Sequence, residues 1–213
     1  MIEREPVEVI DDACAKGVMK IVTIGIDLES SKKNINYASQ HRNVFTAIGF
    51  HPHESKKMKR DEFYQLEAML TNAKNVALGE IGLDYYYMHS NKEEQQRAFR
   101  EQIDLAKKYN LPIIIHDRDA HYDTIQILEE KAKNMRVVLH CFSGDRDMAQ
   151  WCIKNGYYFG IGGVVTFKNA RDLVNIVEEI PIENILLETD SPFLTPAPFR
   201  GKPNEPKYIP IIA

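Results

Sequence analysis

The segment NVALGEIGLDYYY, Asn75 to Tyr87, opens as a short apolar run and then meets the carboxylate of Glu80. An apolar run of this length reads as a buried strand. A strand built for a core has no reason of its own to finish on a charge, because a buried charge must be paired or neutralised. The reason has to be sought at the ends of the other strands.

Six further segments read as short apolar strands: KIVTIGI (20–26), VFTAIGF (44–50), LPIIIH (111–116), RVVLHCF (136–142), YYFGIGG (157–163) and ILLETD (185–190). Amphipathic helical segments separate them. In NKEEQQRAFREQIDLAKKYN (91–110), Asn91 and Glu94 stand at capping-box spacing and Asn110 is a candidate closing residue. Gly17 and Gly156 sit where a helix must stop before the next strand, and a first helix is predicted over Pro6–Ala15. Strands alternating with helices in this way form βα units and a parallel sheet, either doubly wound or closed as a barrel.

The strand ends favour the barrel. His51 and His53 follow TAIGF, Glu80 interrupts VALGEIG, His116 follows PIII, His140 follows VVL, and Asp190 follows ILLET. A doubly wound sheet draws its site from strands beside one switch point, whereas a (β/α)8 barrel collects residues from many strand ends around one mouth. A single His or acid at a strand end is commonly a cap or a hydrogen-bonded core group. Several at equivalent positions are costly to bury unless they share a cation. On this reading the strand meets a charge at Glu80 because a divalent metal binds there, and Glu80 is the candidate to bridge two ions. The mixed imidazole and carboxylate set suits Mg, Zn, Mn, Fe or Ni without choosing among them.

Composition bounds the rest. With 213 residues, 44% hydrophobic and 27% charged, the chain reads as a single domain over 1–213. No apolar run reaches the length of a membrane span, and MIEREPVEVIDD lacks the layout of a signal peptide, so a cytoplasmic protein is expected. Cys14, Cys141 and Cys152 form no metal or redox pair and suit a reducing compartment. A net charge of -4 argues against coating nucleic acid by bulk positive charge, yet leaves room for a nuclease whose metals meet the phosphate.

The series GFHPH, GEIGLDYY, IHDRDA, HCFSGD, GGVVTFKNA, ETDSPFLTP and FRGKPNEPKY, running from Gly49 to Tyr208, resembles the TatD family of metal-dependent deoxyribonucleases. The resemblance implies a (β/α)8 TIM barrel of the metal-dependent hydrolase type that cleaves phosphodiester bonds in DNA with one or two divalent cations, typically Mg. By motif match Glu80 would bridge the metals, His116 and His140 would complete one site, and Asp190 would bind the other metal and act as general base. Single-stranded DNA, attacked from an end, is the implied substrate, and a monomer the implied state. The family's opening strand carries a His-x-His pair that has no counterpart before KIVTIG. His51 and His53 have that pattern but occupy the family's later HPH motif, so the ligand role is not carried over to them. The sequence thus predicts a barrel of about seven strands, lacking the first strand and last helix, with the Asp190 metal site impaired and an open edge available for self-association.

Other residues carry two readings each. Arg118 either holds a phosphate or pairs with Asp117 or Asp119. Arg200 and Lys202, in the Pro-rich loop PFRGKPNEP, either contact a nucleic-acid backbone or cover the barrel. His53 is a further candidate for substrate contact, and the following run KKMKR (56–60) is either a solvated helix start or a DNA contact. Tyr85, Tyr86 and Tyr87 either stack on an unpaired base or pack against the next helix. GIGG (160–163) lacks phosphate-loop spacing, and Ser143 and Ser191 lack a nucleophile elbow. Two alternatives remain for the whole chain: hydrolysis of an amide, lactone or phosphotriester on a related barrel, and a non-catalytic metal-binding fragment.

Overall fold

The computed structural model describes residues 4–213. Along the chain run α1 (Pro6–Ala15), β1 (Ile21–Gly25), α2 (Leu28–Gln40), β2 (Val44–Ile48), α3 (Arg60–Met69), β3 (Asn75–Asp84), α4 (Lys92–Lys108), β4 (Ile113–Arg118) and α5 (His121–Lys131). They are followed by β5 (Val137–Leu139), α6 (Arg146–Lys154), β6 (Tyr158–Ile161), α7 (Arg171–Val177), β7 (Ile185–Leu187) and the short α8 (Ile209–Ile212). The seven strands fall on the seven predicted segments, and α1 has the predicted bounds. Among the described residues no helix is long and apolar enough to cross a membrane. The fold divides into two compact units: Val22–His140, and the residues up to Ile21 together with Cys141–Ala213.

In the Val22–His140 unit the strands stand in the order β1-β2-β3-β4-β5, with β2–β3, β3–β4 and β4–β5 paired in parallel. Ile48, Leu78, Ile81, Leu83, Ile113 and Ile115 are wholly buried, as expected for strands covered on both faces. α4 covers them with a face made of Gln95, Ala98, Phe99, Gln102, Ile103, Leu105 and Ala106, the spacing of one side of a helix. Its start is the predicted capping box: the Glu94 amide donates to Asn91 Oδ1 (2.8 Å), and the Asn91 amide donates to Glu94 Oε2 (2.9 Å).

β3 differs from its sequence reading in one respect. It does not end at Glu80 but runs on to Asp84. Leu78 pairs with Ile113 while Ile81 pairs with Ile115, so three steps on β3 match two on β4 and the extra residue falls around Glu80. Such a bulge turns a side chain out of the regular alternation while the ladder resumes beyond it. Gly79 permits the close approach, since a Cβ there would stand 2.6 Å from Ile114 Cβ. Gly82, at φ +139°, has no room for any side chain, because a Cβ would fall on the His116 carbonyl oxygen.

Two buried glutamines, two helical turns apart on α4, hold the chain where the ladder gives out. Gln102 accepts from the Phe50 amide (2.7 Å) and donates to the Phe50 carbonyl (3.1 Å). Gln95 does the same for Asp84, accepting from its amide (2.7 Å) and donating to its carbonyl (3.0 Å). Both amide side chains are fully buried, and each satisfies the two backbone groups of one residue. The residues so fixed are Asp84 itself and the immediate neighbour of His51.

In the second unit β6 and β7 pair in parallel, Phe159 with Ile185 and Ile161 with Leu187. α1 is tied to the C-terminal segment through Arg4, whose Nη1 lies 2.9 Å from Asp12 and 2.7 Å from the largely buried Glu205. Lys207 joins Glu205 at 2.9 Å.

Replacing Gln102 by Leu removes both partners of the Phe50 backbone without changing the apolar packing of α4. Each buried group left unpaired costs about 1–3 kcal/mol, so urea denaturation of Gln102→Leu is expected to show a loss of roughly 2–6 kcal/mol. A loss below about 1 kcal/mol would mean that the Phe50 backbone finds other partners.

Candidate metal centre

The bulge at Glu80 and the alternation of a strand put Glu80 and Asp84, with glycine between them at 82, on one side of β3. His116 comes from the neighbouring strand β4, where the register pairs it with Gly82. His51 follows β2, its amide donating to the Ile26 carbonyl at 3.0 Å. One ligand atom each from His51, Glu80 and His116 lie within 4.8 Å of one another, and His51 and Glu80 are buried. His140, after β5, brings Nε2 to 3.9 Å from Glu80 Oε1.

The hydrogen bonds order this cluster. His116 donates from Nδ1 to Glu80 Oε1 (2.7 Å) and from Nε2 to Asp84 Oδ2 (3.2 Å). Both partners are carboxylates, which only accept when ionised, so both ring nitrogens carry protons. Burial alone would lower the His116 pKa, but the bonds to Asp84 and Glu80 outweigh it and raise it to about 9. Glu80 responds in the opposite sense: burial pushes its carboxyl up, and the imidazoles of His140, His116 and His51 more than reverse this, leaving it ionised. His51 behaves differently again, because burial dominates and lowers its pKa to about 3, so it is neutral.

Asp84 organises the site. Oδ2 also accepts from His53 Nε2 (2.8 Å), and Oδ1 accepts from the amides of Tyr86 (3.0 Å) and Tyr87 (2.8 Å). Only 1% of the residue is exposed. Burial would raise its pKa, yet the donors from His116, Tyr87 and His53 hold it well below the ordinary carboxylate range. With Nε2–H of His116 committed to Asp84, the proton on Nδ1 occupies the side facing Glu80, and that is the nitrogen a cation would take. A carboxylate behind a ligating imidazole fixes its tautomer and raises its basicity. The donor set, one ionised carboxylate with imidazole nitrogens in a largely dry setting, therefore fits a divalent metal.

His51 stands close enough to share a cation with Glu80 and His116, but in another tautomer. Its Nδ1 accepts from the His53 amide at 3.2 Å, which leaves the ring proton of the neutral imidazole on Nε2, 3.7 Å from Glu80 Oε1. In that form Nε2 is a donor rather than a ligand.

The remaining sequence candidates divide between the units. In the Val22–His140 unit the guanidinium of Arg118 lies 4.2 and 4.6 Å from the ring centroids of Tyr86 and Tyr87. Asp117 is bonded to His121 and to Thr124 Oγ1. Tyr85 is packed as the second reading of the tyrosines had it, donating to Asp123 Oδ2 (2.7 Å) and accepting from Gln96 (2.9 Å). The other unit holds Asp190, which follows β7 and whose backbone carbonyl accepts from the Phe193 amide at 2.6 Å. It also holds Arg200, which donates to the Thr195 carbonyl (3.0 Å) and lies over the Phe167 ring, and Lys202, over Phe199. Nearby, Glu188 Oε1 accepts from the Cys141 amide at 2.8 Å. Two participants were missed at the sequence level. Asp84 was legible as the second member of a Glu-x-x-x-Asp spacing on one strand face, had the strand been carried past Glu80. His51 was noted at a strand end and left without a role.

Two outcomes follow for metal binding. Asp84→Asn keeps the shape but not the charge behind His116, and calorimetric titration with Mn is expected to show affinity weakened roughly 10–100-fold. A change under about twofold would remove Asp84 from the metal centre. A cation taking Nδ1 of His116 displaces a proton, because the folded pKa of about 9 lies above the ordinary 6.5. Affinity should therefore rise with pH up to about 9 and level off above it. Proton release at neutral pH, read from calorimetry in buffers of different ionisation enthalpy, checks this.

Comparison with known proteins identifies the family of the chain. The family model described as TatD related DNase matches residues 1–213. The chain is 44% identical over 207 residues to the uncharacterized metal-dependent hydrolase YabD of Bacillus subtilis, covering 97% of this chain and 81% of that protein. It is 35% identical over 211 residues to a protein of Escherichia fergusonii named 3'-5' ssDNA/RNA exonuclease TatD, covering 96% of this chain and 81% of the relative. Among solved structures, the crystal structure of YJJV, a TatD homolog from Escherichia coli K12, superposes with a TM-score of 0.89 at 31% identity, covering 97% of this chain and 80% of that one. A mutant organophosphorus hydrolase superposes at 0.62 with 12% identity over 86% of this chain and 64% of its own, a likeness of fold alone. The strand and helix order, the carboxylate and imidazole centre and these matches lead to one conclusion: the chain belongs to the TatD family of metal-dependent hydrolases.

Proposed function

We propose that this hydrolase cleaves phosphodiester bonds in single-stranded DNA, working from an end. The observation that carries the reading is the largely buried Glu80–His116–Asp84 array, in which an ionised carboxylate and an imidazole held by a second carboxylate share one side of adjacent strands. It is supported by the relative of Escherichia fergusonii named as an exonuclease on single-stranded DNA and RNA.

In this reading Glu80, His116 and His140 would hold one divalent cation, and Asp190 would serve a second. Bound there, the metal supplies Lewis-acid polarisation of the phosphoryl oxygen and eases ionisation of water. Asp190 is the general base that accepts the proton from the attacking water. Asp84 keeps the Nδ1 edge of His116 turned toward Glu80 and fixes His53 by the same oxygen. His51, neutral and with its proton on Nε2, donates to a phosphate oxygen as charge develops on it. Arg118 pairs with a phosphate, and Arg200 and Lys202 contact the nucleic-acid backbone. Magnesium is the metal this chemistry most commonly employs, since phosphate oxygens and carboxylates are hard ligands.

The division of labour between the histidines is testable. With a 3'-labelled single-stranded oligonucleotide and Mg or Mn, the wild-type chain is expected to shorten the strand, EDTA to stop it, and Glu80→Ala to reduce it to the EDTA level. His116→Ala should abolish cation binding and cleavage together. His51→Ala should lower kcat by roughly 100-fold or more while cation affinity stays within about threefold. Loss of cation affinity in His51→Ala would make it a ligand instead, and no cleavage by a folded, metal-loaded wild-type chain would move the activity to another ester.

A further inference from the structure

Immediately beyond Asp84 the chain exposes a run of large side chains that packing does not explain. Tyr86 is 58% exposed, Tyr87 51% and Met88 40%. Exposed aromatic rings in a row are unusual on a surface that has no use for them. These rings are not loosely placed. The amides of Tyr86 and Tyr87 are both fixed by Asp84 Oδ1, the carboxylate whose other oxygen holds His116 and His53. The Tyr87 ring stands edge to face with His53 at 5.6 Å and lies nearly parallel to His89 at 5.8 Å. Tyr86 stands perpendicular to Tyr87, ring centroids 4.8 Å apart.

Arg118 completes the patch. It is exposed, it comes from the end of β4 two residues past His116, and its guanidinium is seated over both rings. Among the described residues no carboxylate lies within ion-pair distance of it. Two solvent-facing rings and a cation without a carboxylate partner thus sit beside the metal centre, positioned by the same buried aspartate. Aromatic faces with an arginine offer stacking for a base and charge for its phosphate, which is the chemistry of single-strand recognition. A paired base has both faces covered by its neighbours and cannot use such a surface.

We propose that Tyr86, Tyr87 and Arg118 form a subsite for an unpaired nucleobase, with Tyr86 as the principal stacking ring. The subsite rests on the nuclease reading above for its substrate, and it makes selection of single strands a property of this surface rather than of the metal centre. Asp84 links the two, so that a stacked nucleotide places its phosphate at a fixed offset from Glu80 and His116.

The test measures binding separately from cleavage. Fluorescence anisotropy of a labelled single-stranded deoxyoligonucleotide, in Mg, is recorded for wild type, Tyr86→Ala and Tyr86→Trp, and for the same oligonucleotide carrying an abasic terminal residue. Tyr86 is exposed, so its substitution does not threaten the fold. The expected result is a roughly 5- to 150-fold loss of affinity in Tyr86→Ala, recovery in Tyr86→Trp, and a loss for the abasic strand that Tyr86→Ala does not deepen. Equal affinity of wild type and Tyr86→Ala for the intact strand, or no binding by wild type, overturns the subsite. Cleavage of the labelled strand by wild type is scored in parallel and decides the nuclease reading by itself: cleavage with unchanged Tyr86→Ala binding keeps the enzyme and removes the subsite, while base-dependent binding without cleavage does the reverse.

Discussion

A single buried carboxylate sets the geometry of this protein's chemistry. Asp84 accepts four hydrogen bonds, two from imidazoles and two from backbone amides. That number saturates the accepting capacity of a carboxylate and explains how an ionised group survives at 1% exposure. Each bond also fixes something else: the orientation of the His116 ring, the position of His53, and the path of the chain through Tyr86 and Tyr87. A neutral side chain of the same size would satisfy some of these donors but would leave the His116 imidazolium with one counter-charge instead of two.

The placement of Asp84 depends in turn on α4. A parallel sheet satisfies its backbone by pairing, and that pairing lapses at the strand ends where functional residues must project. Gln95 and Gln102 take over at those points, each supplying one donor and one acceptor to one residue. Glutamine is the side chain suited to this task, since its terminal amide matches a backbone amide group for group. The apolar part of α4 covers the strands, and its two polar exceptions hold the rim. Stability and site geometry are therefore carried by the same helix, so that a loss of packing at α4 would reach the metal centre through Phe50 and Asp84.

Within the centre, similar side chains play unlike parts because their second partners differ. His116 is bonded to two carboxylates, which outweigh its burial and push it up to about 9, whereas at His51 burial dominates and pushes it down to about 3. Electrostatics near Glu80 thus favours one imidazolium and one neutral ring at the same pH. The order in which the two respond to pH follows from that difference.

Much of this could be read from the chain alone. Strand and helix order follows from apolar runs and caps, which are local: the capping box at Asn91 and Glu94 and the helix over Pro6–Ala15 stand where periodicity placed them. The clustering of Glu80, His116 and His140 was legible because charged and imidazole groups at successive strand ends are too costly to bury apart from one another. The structure alone decided what depends on partners distant in sequence. The extra residue at the bulge carries β3 past Glu80 and brings Asp84 into the site, and no local pattern announces a bulge. The proton on His51 is set by the His53 amide, the role of Gln95 and Gln102 by strand ends facing α4, and the fate of the three tyrosines by what lies behind them. Tyr85 finds Asp123 and Gln96, while Tyr86 and Tyr87 find Arg118 and solvent. A sequence specifies which groups can hydrogen-bond and which must be buried; which partner each one meets is settled only when the strands and helices pack.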